Sequence, residues 1–423
     1  MIWLIAYILE IIILTFVERR CWCTYITPLT CLMIPGGIII LLAIIISYIS
    51  NNYIQFYLPS LQIWMIGYFL FALPSWILSP YNKQTYIKEK KINPVYQFYN
   101  KEIKIICINR KREEKMYKIL VVVAFLLLIF MFLKMRSLHG SVSWGSDEYS
   151  ESYTAGGGLR SHLNVLLTTI FIYMFCKADK NHKLAWVICG LSLINMFAVG
   201  VKSWIIGPCI IGYISRVNAK KSVLKISVLI IMGIFVCLIF ALSYFILMVM
   251  TGKSELGSDF YNFLFDHFIG YLIGPSLSFS LDFQQGIMES YMPLALIAPI
   301  INFFHVIVGD PLINPINSVW VEYGISSGNV RTFLGTVYAY SNGTFLFAII
   351  VILYSLYFYL IQYLASTNRN FFLILISSTN MGFLILGFFE FYWLNLAPFE
   401  IVMILFILGF ITRYLPVTNE RNL

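Results

Sequence analysis

The sequence predicts an all-α, polytopic integral membrane protein with about eleven transmembrane helices. Two observations lead to this prediction. The chain is 60% hydrophobic and only 12% charged over 423 residues, and its apolar runs repeatedly reach the ~20 residues that a helix needs to cross a bilayer. A transmembrane β-barrel would instead show segments of ~10 residues with alternating polarity. We therefore interpret residues 1–423 as a single transmembrane domain.

The basic residues predict the orientation of the spans. The formal net charge is +9, and the Lys and Arg residues are concentrated in alternate loops. Such clusters stay on the cytoplasmic side of a membrane, so topology accounts for the charge and no nucleic-acid partner is expected. The eight cysteines fall in apolar runs or basic loops, where they indicate neither a disulfide framework nor a zinc site.

Three apolar runs predict the first spans, at about residues 2–17, 28–49 and 60–79. Residues 81–117 follow as a strongly basic loop that we expect to be cytoplasmic. Tyrosine and isoleucine alternate with its lysines, which leaves two interpretations open: a helix on the inner leaflet or a solvated linker. The fourth span, at 118–135, then leads to a first outer loop at 136–162.

The remaining spans are predicted at residues 163–177, 184–200, 203–215, 226–250, 344–364, 371–389 and 396–412. With this assignment the basic clusters fall on one side, and the two long loops and the amino end fall on the other. No internal repeat is evident, so an inverted-repeat transporter is not indicated.

The long segment at residues 251–343 is the part of the chain most typical of a functional site. Loops longer than about 12–15 residues are uncommon unless they bind or catalyse. Apolar residues remain frequent in it, and Tyr261 to Leu272 has the spacing of an amphipathic helix at the membrane surface. We expect a large outer loop with short interfacial helices that carries the active site. The alternative is one more, weakly marked span within residues 260–310.

Three basic residues at junctions between outer loops and spans are candidate phosphate ligands: Arg160, Lys202 and Arg331. Outer loops are poor in Lys and Arg, so each cation that remains there needs a reason. A guanidinium donates two hydrogen bonds to phosphate oxygens, and an ammonium supplies a compact charge. At headgroup depth these groups would meet a lipid-linked phosphate or diphosphate. The alternative is that they bind ordinary lipid headgroups.

Several outer side chains are candidates for acid or base chemistry on a sugar hydroxyl. His305 and Glu322 flank the turn-rich stretch from Gly309 to Pro315, and the spacing does not choose between them. The other candidates on the same side are His162, His267, Asp266, Asp310 and Glu390.

The stretch Asn329-Val-Arg-Thr-Phe-Leu-Gly-Thr-Val-Tyr338, followed by Gly343 and a new span, resembles a pattern of the Wzy polymerases. These enzymes polymerise the oligosaccharide repeat units of bacterial O-antigens and capsules, and an Asn-x-x-Thr-x-x-Gly-x-x-Tyr run closes their largest periplasmic loop. The chain departs from the pattern at Tyr340-Ser-Asn-Gly343, where an acidic residue is usual, and at Arg331, which is not the usual residue there. The turn Gly200-Val-Lys202-Ser203 resembles a Gly-x-Lys/Arg-Ser/Thr turn of the same family.

The resemblance implies a GT-C-like membrane glycosyltransferase of the bacterial inner membrane that uses no metal or other cofactor. It would transfer the growing glycan from undecaprenyl diphosphate to the non-reducing end of a new undecaprenyl-diphosphate-linked repeat unit. Arg160, Lys202 and Arg331 would stabilise the diphosphate leaving group, and His305 or Glu322 would activate the acceptor hydroxyl. The other residues expected to bind substrate are His162, Asn329, Thr332, Tyr338, Trp320 and Tyr323.

The expected partners are the lipid-linked oligosaccharide, membrane lipids and a protein that regulates chain length. Two rival functions remain open: an O-antigen ligase, which has the same donor but a lipid A core acceptor, and a lipid-linked oligosaccharide flippase. A flippase is expected to carry charged residues inside the membrane, whereas the polar residues of this chain gather in its outer loops. An enzyme that acts at the membrane surface is therefore favoured.

Overall fold

The computed structural model describes residues 2–79, 103–138, 158–199, 203–250, 258–286, 292–316, 319–341, 344–368 and 370–416. Within these ranges the regular structure is helical apart from two strands of two residues each. The elements are α1 (Ile2–Trp22), α2 (Pro28–Ile49), α3 (Leu61–Leu78), α4 (Ile103–Leu138), α5 (Leu159–Lys177), α6 (Lys183–Val199), α7 (Ser203–Asn218), α8 (Ile226–Met250), α9 (Ser258–Gln285), α10 (Ala298–Val308), β1 (Val321–Glu322), β2 (Ser327–Gly328), α11 (Phe333–Ser341), α12 (Thr344–Asn368), α13 (Phe371–Ile385) and α14 (Leu396–Tyr414).

Seven helical segments of the described chain are long and apolar enough to cross a bilayer: Pro28–Ile49, Leu58–Leu78, Lys111–Ser137, Leu159–Lys177, Phe345–Asn368, Phe371–Phe388 and Leu396–Tyr414. A helix satisfies its own backbone hydrogen bonds, which is what a lipid environment demands. The protein is therefore an all-α membrane protein. Helices α1, α6, α7 and α8 lie at the other four predicted positions without counting among the seven, so the number of spans stays a prediction.

The segment after α8 is more helical than the sequence suggested. Helix α9 has 28 residues, whereas a short interfacial helix was expected at Tyr261 to Leu272. Its second half is buried and packs against α2. Ser276, Ser278 and Ser280 lie in this buried half, and such small residues let helices approach closely. Because serine is polar, these residues lower the hydropathy of the segment, and the apolar pattern of the sequence did not indicate a long helix there. A short helix of 11 residues does occur nearby, as α10.

One compact unit comprises Met1–Lys83, Glu255–Thr367 and Asn380–Phe399. In it α1 packs on α3, and α3 contacts α11. The contact with α11 depends on Gly67, where a Cβ atom would lie 2.7 Å from the side chain of Leu334. An aromatic pair between Trp64 and Phe279, with ring centroids 4.6 Å apart, joins α3 to α9. Helix α11, which carries the second half of the motif from Asn329 to Tyr338, is thus held against the core of this unit.

A buried carboxyl joins three helices of the same unit. Helix α1 continues past the predicted end of the first span, and Glu18 is fully buried in it. The hydroxyl of Ser75 donates to one oxygen of Glu18, and Tyr359 donates to the other at 2.8 Å. Each hydroxyl in turn accepts from a group that can only donate, the Trp22 indole at 2.9 Å and the Leu29 amide at 3.1 Å. These fixed donors favour hydroxyls that point their protons at Glu18.

The second unit comprises Gln84–Ser254, Asn368–Thr379 and Glu400–Leu423. Helix α5 is central to it and contacts α4, α6 and α7. Two cations satisfy carbonyls at the carboxyl end of α5: Arg216 donates to Phe175 O at 2.9 Å and to Ala178 O at 2.5 Å, and Lys221 donates to Cys176 O at 3.0 Å. Positive charge is favourable at this end of a helix because the helix dipole is negative there.

Candidate functional site

The motif singled out from the sequence borders a cleft in the first unit. The cleft is partly open and contains about 380 Å³ of empty space, including the part that is open to solvent. It is formed by the chain after α10, by the start and one face of α11, and by the turn that precedes α14. The lining residues are Pro315, Ile316, Val330, Arg331, Thr336, Tyr340, Glu390, Phe391, Leu394 and Asn395.

The threonine and the glycine of the motif build the start of α11. The hydroxyl of Thr332 accepts a hydrogen bond from the amide of Gly335 at 3.2 Å, and its carbonyl accepts from the amide of Thr336 at 2.8 Å. Thr332 is therefore the N-cap of the helix. A Cβ atom on Gly335 would lie 2.5 Å from the Thr332 hydroxyl and 3.0 Å from the ring of Phe279. Both residues have a structural role that sets the position of the cleft wall.

Arg331 is held in place by the residues around it. Its Nε donates to Asn329 Oδ1 at 2.5 Å, and its carbonyl accepts from the amide of Phe391 at 2.7 Å. Asn329 is buried and Arg331 is half-buried. Within the described ranges no carboxylate forms an ion pair with Arg331. The end of this guanidinium thus borders the cleft without an ion pair to any described carboxylate, and a guanidinium is suited to binding an anion.

Three further polar side chains of the cleft are Tyr340, Glu390 and Asn395, and the sequence had named Glu390 among the outer acid or base candidates. The hydroxyl of Tyr340 donates to Pro315 O at 2.7 Å. Burial raises the pKa of Tyr340 to about 12 although Arg331 opposes the shift, so this hydroxyl keeps its proton at physiological pH. Glu390 accepts from the amide nitrogen of Asn395 at 3.0 Å through one oxygen, Oε1. The cleft therefore combines a fixed guanidinium with a carboxylate that is oriented by an amide.

Tyr338, the last residue of the motif, faces away from the cleft. On a helix, residues two positions apart point in nearly opposite directions, and Thr336 and Tyr340 occupy the cleft face. The ring of Tyr338 packs instead against Phe279, Phe283 and Phe347, with centroids 6.0, 6.0 and 5.4 Å away. Its surroundings are those of a packing residue.

The two residues first considered as the base lie apart from the cleft lining. His305 Nδ1 donates to Pro311 O at 2.6 Å and so closes the loop after α10. Glu322 is exposed on β1, opposite Ser327 of β2. The exposed Trp320 precedes this hairpin, and the buried Tyr323 stacks on Tyr53 with a centroid distance of 6.4 Å.

Three predicted residues belong to other parts of the chain. Arg160 and His162 are in the first turn of α5, in the second unit. His162 Nδ1 is hydrogen-bonded to Glu400 Oε1 at 2.5 Å. Lys202 lies outside the described residues. The structure thus brings Arg331, Asn329 and Thr332 close to Glu390, which was among the outer acid or base candidates, and to Tyr340 and Asn395, which were not assigned to the site. Glu390 stands in the aromatic run Phe388-Phe-Glu-Phe-Tyr392.

Comparisons with curated proteins and with solved structures found no significant match. One family model matches residues 52–416, and it is described as a family of unknown function (DUF6337). The match extends over every residue that lines the cleft. The chain therefore belongs to the family DUF6337.

Proposed function

We propose that this protein is a membrane glycosyltransferase that polymerises lipid-linked oligosaccharide repeat units at the outer face of a bacterial inner membrane. The donor would be the growing glycan on undecaprenyl diphosphate, and the acceptor a single repeat unit on the same carrier. The observation that carries the proposal is the half-buried guanidinium of Arg331, which is anchored through Nε, borders the cleft and forms no ion pair with a described carboxylate. A guanidinium can donate two parallel hydrogen bonds to the oxygens of a diphosphate.

The proposed reaction assigns separate roles to the two sides of the cleft. An acceptor hydroxyl attacks the anomeric carbon of the donor glycan, a new C–O bond forms, and the bond from that carbon to the diphosphate oxygen breaks. The diphosphate leaves with the electron pair, and Arg331 stabilises the charge that develops on it. Glu390 takes the proton of the acceptor hydroxyl. We prefer Glu390 to His305 and Glu322 as the base because it borders the same cleft as Arg331.

Deletion of the gene in its host tests the proposal. Surface polysaccharide resolved on a gel should shrink to core plus one repeat unit, because single units can still be attached when polymerisation fails. Core without any repeat unit would contradict the proposal, since that product is expected when a ligase or a flippase is lost.

Point variants in the deleted host then test the cleft itself. We expect Arg331→Ala to give the single-repeat product and Arg331→Lys to restore part of the polymer, because Lys retains the charge without the two-pronged geometry. Arg413→Ala is a matched control, since Arg413 is exposed in the last turn of α14. Full-length polymer from Arg331→Ala at normal protein level would contradict the role of this residue.

A further inference from the structure

Three aromatic side chains beside the cleft contact one another in a row that we call the aromatic ladder: His267 and Tyr271 of α9, and Phe389. The rings of Tyr271 and Phe389 lie 5.9 Å apart at an interplanar angle of 20°. The rings of His267 and Tyr271 lie 5.7 Å apart at 52°. Tyr271 remains 42% exposed, which is a large value for a ring that already stacks on one neighbour.

The aromatic ladder is connected to the cleft through the backbone. Phe389 directly precedes Glu390, and the next residue, Phe391, donates its amide to Arg331 O at 2.7 Å. His267 and Tyr271 are four residues apart, so they lie on one face of α9. Phe389 therefore belongs to the same turn as Glu390, and α9 supplies the other two rings.

One end of the ladder is polar. His267 is exposed, and the half-buried Asp266 precedes it. Ionisable side chains are expensive against lipid hydrocarbon, so this part of α9 is suited to contact with water or with a polar ligand. A pyranose ring has such a dual character, with an apolar C–H face and a rim of hydroxyls. It matches an aromatic face that is bordered by an imidazole and a carboxylate.

We propose that the aromatic ladder is a carbohydrate subsite, in which the ring of Tyr271 packs against one sugar ring and Asp266 and His267 bind its hydroxyls. The proposal rests on the proposed function for the source of the sugar, which would be a residue of the repeat unit. It assigns the ladder to glycan binding and leaves the diphosphate to Arg331.

Binding can be measured without catalysis. The probe is the free oligosaccharide released by mild acid from the lipid-linked intermediates of the host, and the readout is saturation-transfer NMR with the detergent-purified protein. We expect transfer to the ring C–H protons in the wild type and about tenfold weaker binding to Tyr271→Ala, as loss of one aromatic contact implies. Tyr271→Phe keeps the ring and should bind almost normally.

Phe265→Ala is the matched control, because Phe265 is a 65% exposed aromatic residue of the same helix outside the ladder. Equal binding by wild type and Tyr271→Ala, or no binding by the wild type, would overturn the subsite. Equal thermal midpoints for the variants show that each is folded. If Tyr271→Ala loses binding while the wild type forms no polymer from lipid-linked repeat units, the ladder stands and the polymerase function fails.

Discussion

Glu390 and Glu18 are two carboxyl groups of the same unit in opposite environments. Glu390 borders the cleft and is held through one oxygen by Asn395, whereas Glu18 is fully buried and accepts hydrogen bonds from Ser75 and Tyr359. An oriented carboxylate with an open side is suited to proton transfer. A carboxyl enclosed by donors from other helices is suited to holding those helices together. We therefore expect mutation of Glu390 to affect the reaction rate and mutation of Glu18 to affect stability.

The base is tested by amide substitutions of the competing carboxyls. If Glu390 accepts the acceptor proton, Glu390→Gln should lower kcat by about 10²–10⁴-fold with little change in KM. Glu322→Gln should have a far smaller effect, because Glu322 is exposed on β1. Rates come from polymer formation by the purified variants. A larger loss for Glu322→Gln would transfer the role to that residue.

Glu18 predicts a change in stability. Glu18→Ala leaves two buried hydroxyls without an acceptor, and each such group costs about 1–3 kcal/mol. We expect a clearly lower thermal midpoint in detergent for Glu18→Ala and an intermediate midpoint for Glu18→Gln, which keeps one of the two acceptor oxygens. A Glu18→Ala protein as stable as the wild type would show that this network contributes little.

At the scale of elements, two residues of the sequence motif set where α11 begins and how closely it packs. Thr332 caps the helix and Gly335 lets it approach α9. Thr332→Val removes the capping oxygen at nearly constant volume and should lower stability by about 1 kcal/mol, whereas Thr332→Ser should keep it. Thermal unfolding measures both. If Thr332→Ser has normal stability but a raised KM, Thr332 would also contact substrate, as the sequence motif first suggested.

The helices were more predictable than the site, for a physical reason. Long apolar runs determine helices locally, and helices lie at all the predicted span positions. The length of α9 was underestimated because Ser276, Ser278 and Ser280 lower the hydropathy of its buried half. Arg331 and Glu390 were both candidates from the sequence, but their meeting at one cleft was not predicted, because they are far apart in the chain. No spacing rule relates two such distant stretches. The hydrogen bond from the Phe391 amide to the Arg331 carbonyl, which joins them, forms only when the chain packs.

At the scale of the whole molecule, the location of the cleft depends on whether α9 crosses the membrane. Its 28 residues exceed the ~20 that a span needs. If the chain between α8 and α12 lies on the outer side, an alkaline phosphatase fused after Asp310 should be active and one fused after Asn370 should be inactive. The reverse pattern would place the Arg331 cleft on the cytoplasmic side and contradict the proposed function.

The polymerase proposal is tested most directly by the purified protein and undecaprenyl-diphosphate-linked repeat units in detergent, with the products separated by size. A flippase moves its substrate without changing it, and a ligase requires a lipid A core that this mixture lacks. We predict a series of products that differ in length by one repeat unit. The series should be lost with Arg331→Ala and retained with Arg413→Ala. Unchanged single repeat units after incubation with the wild type would contradict the proposal.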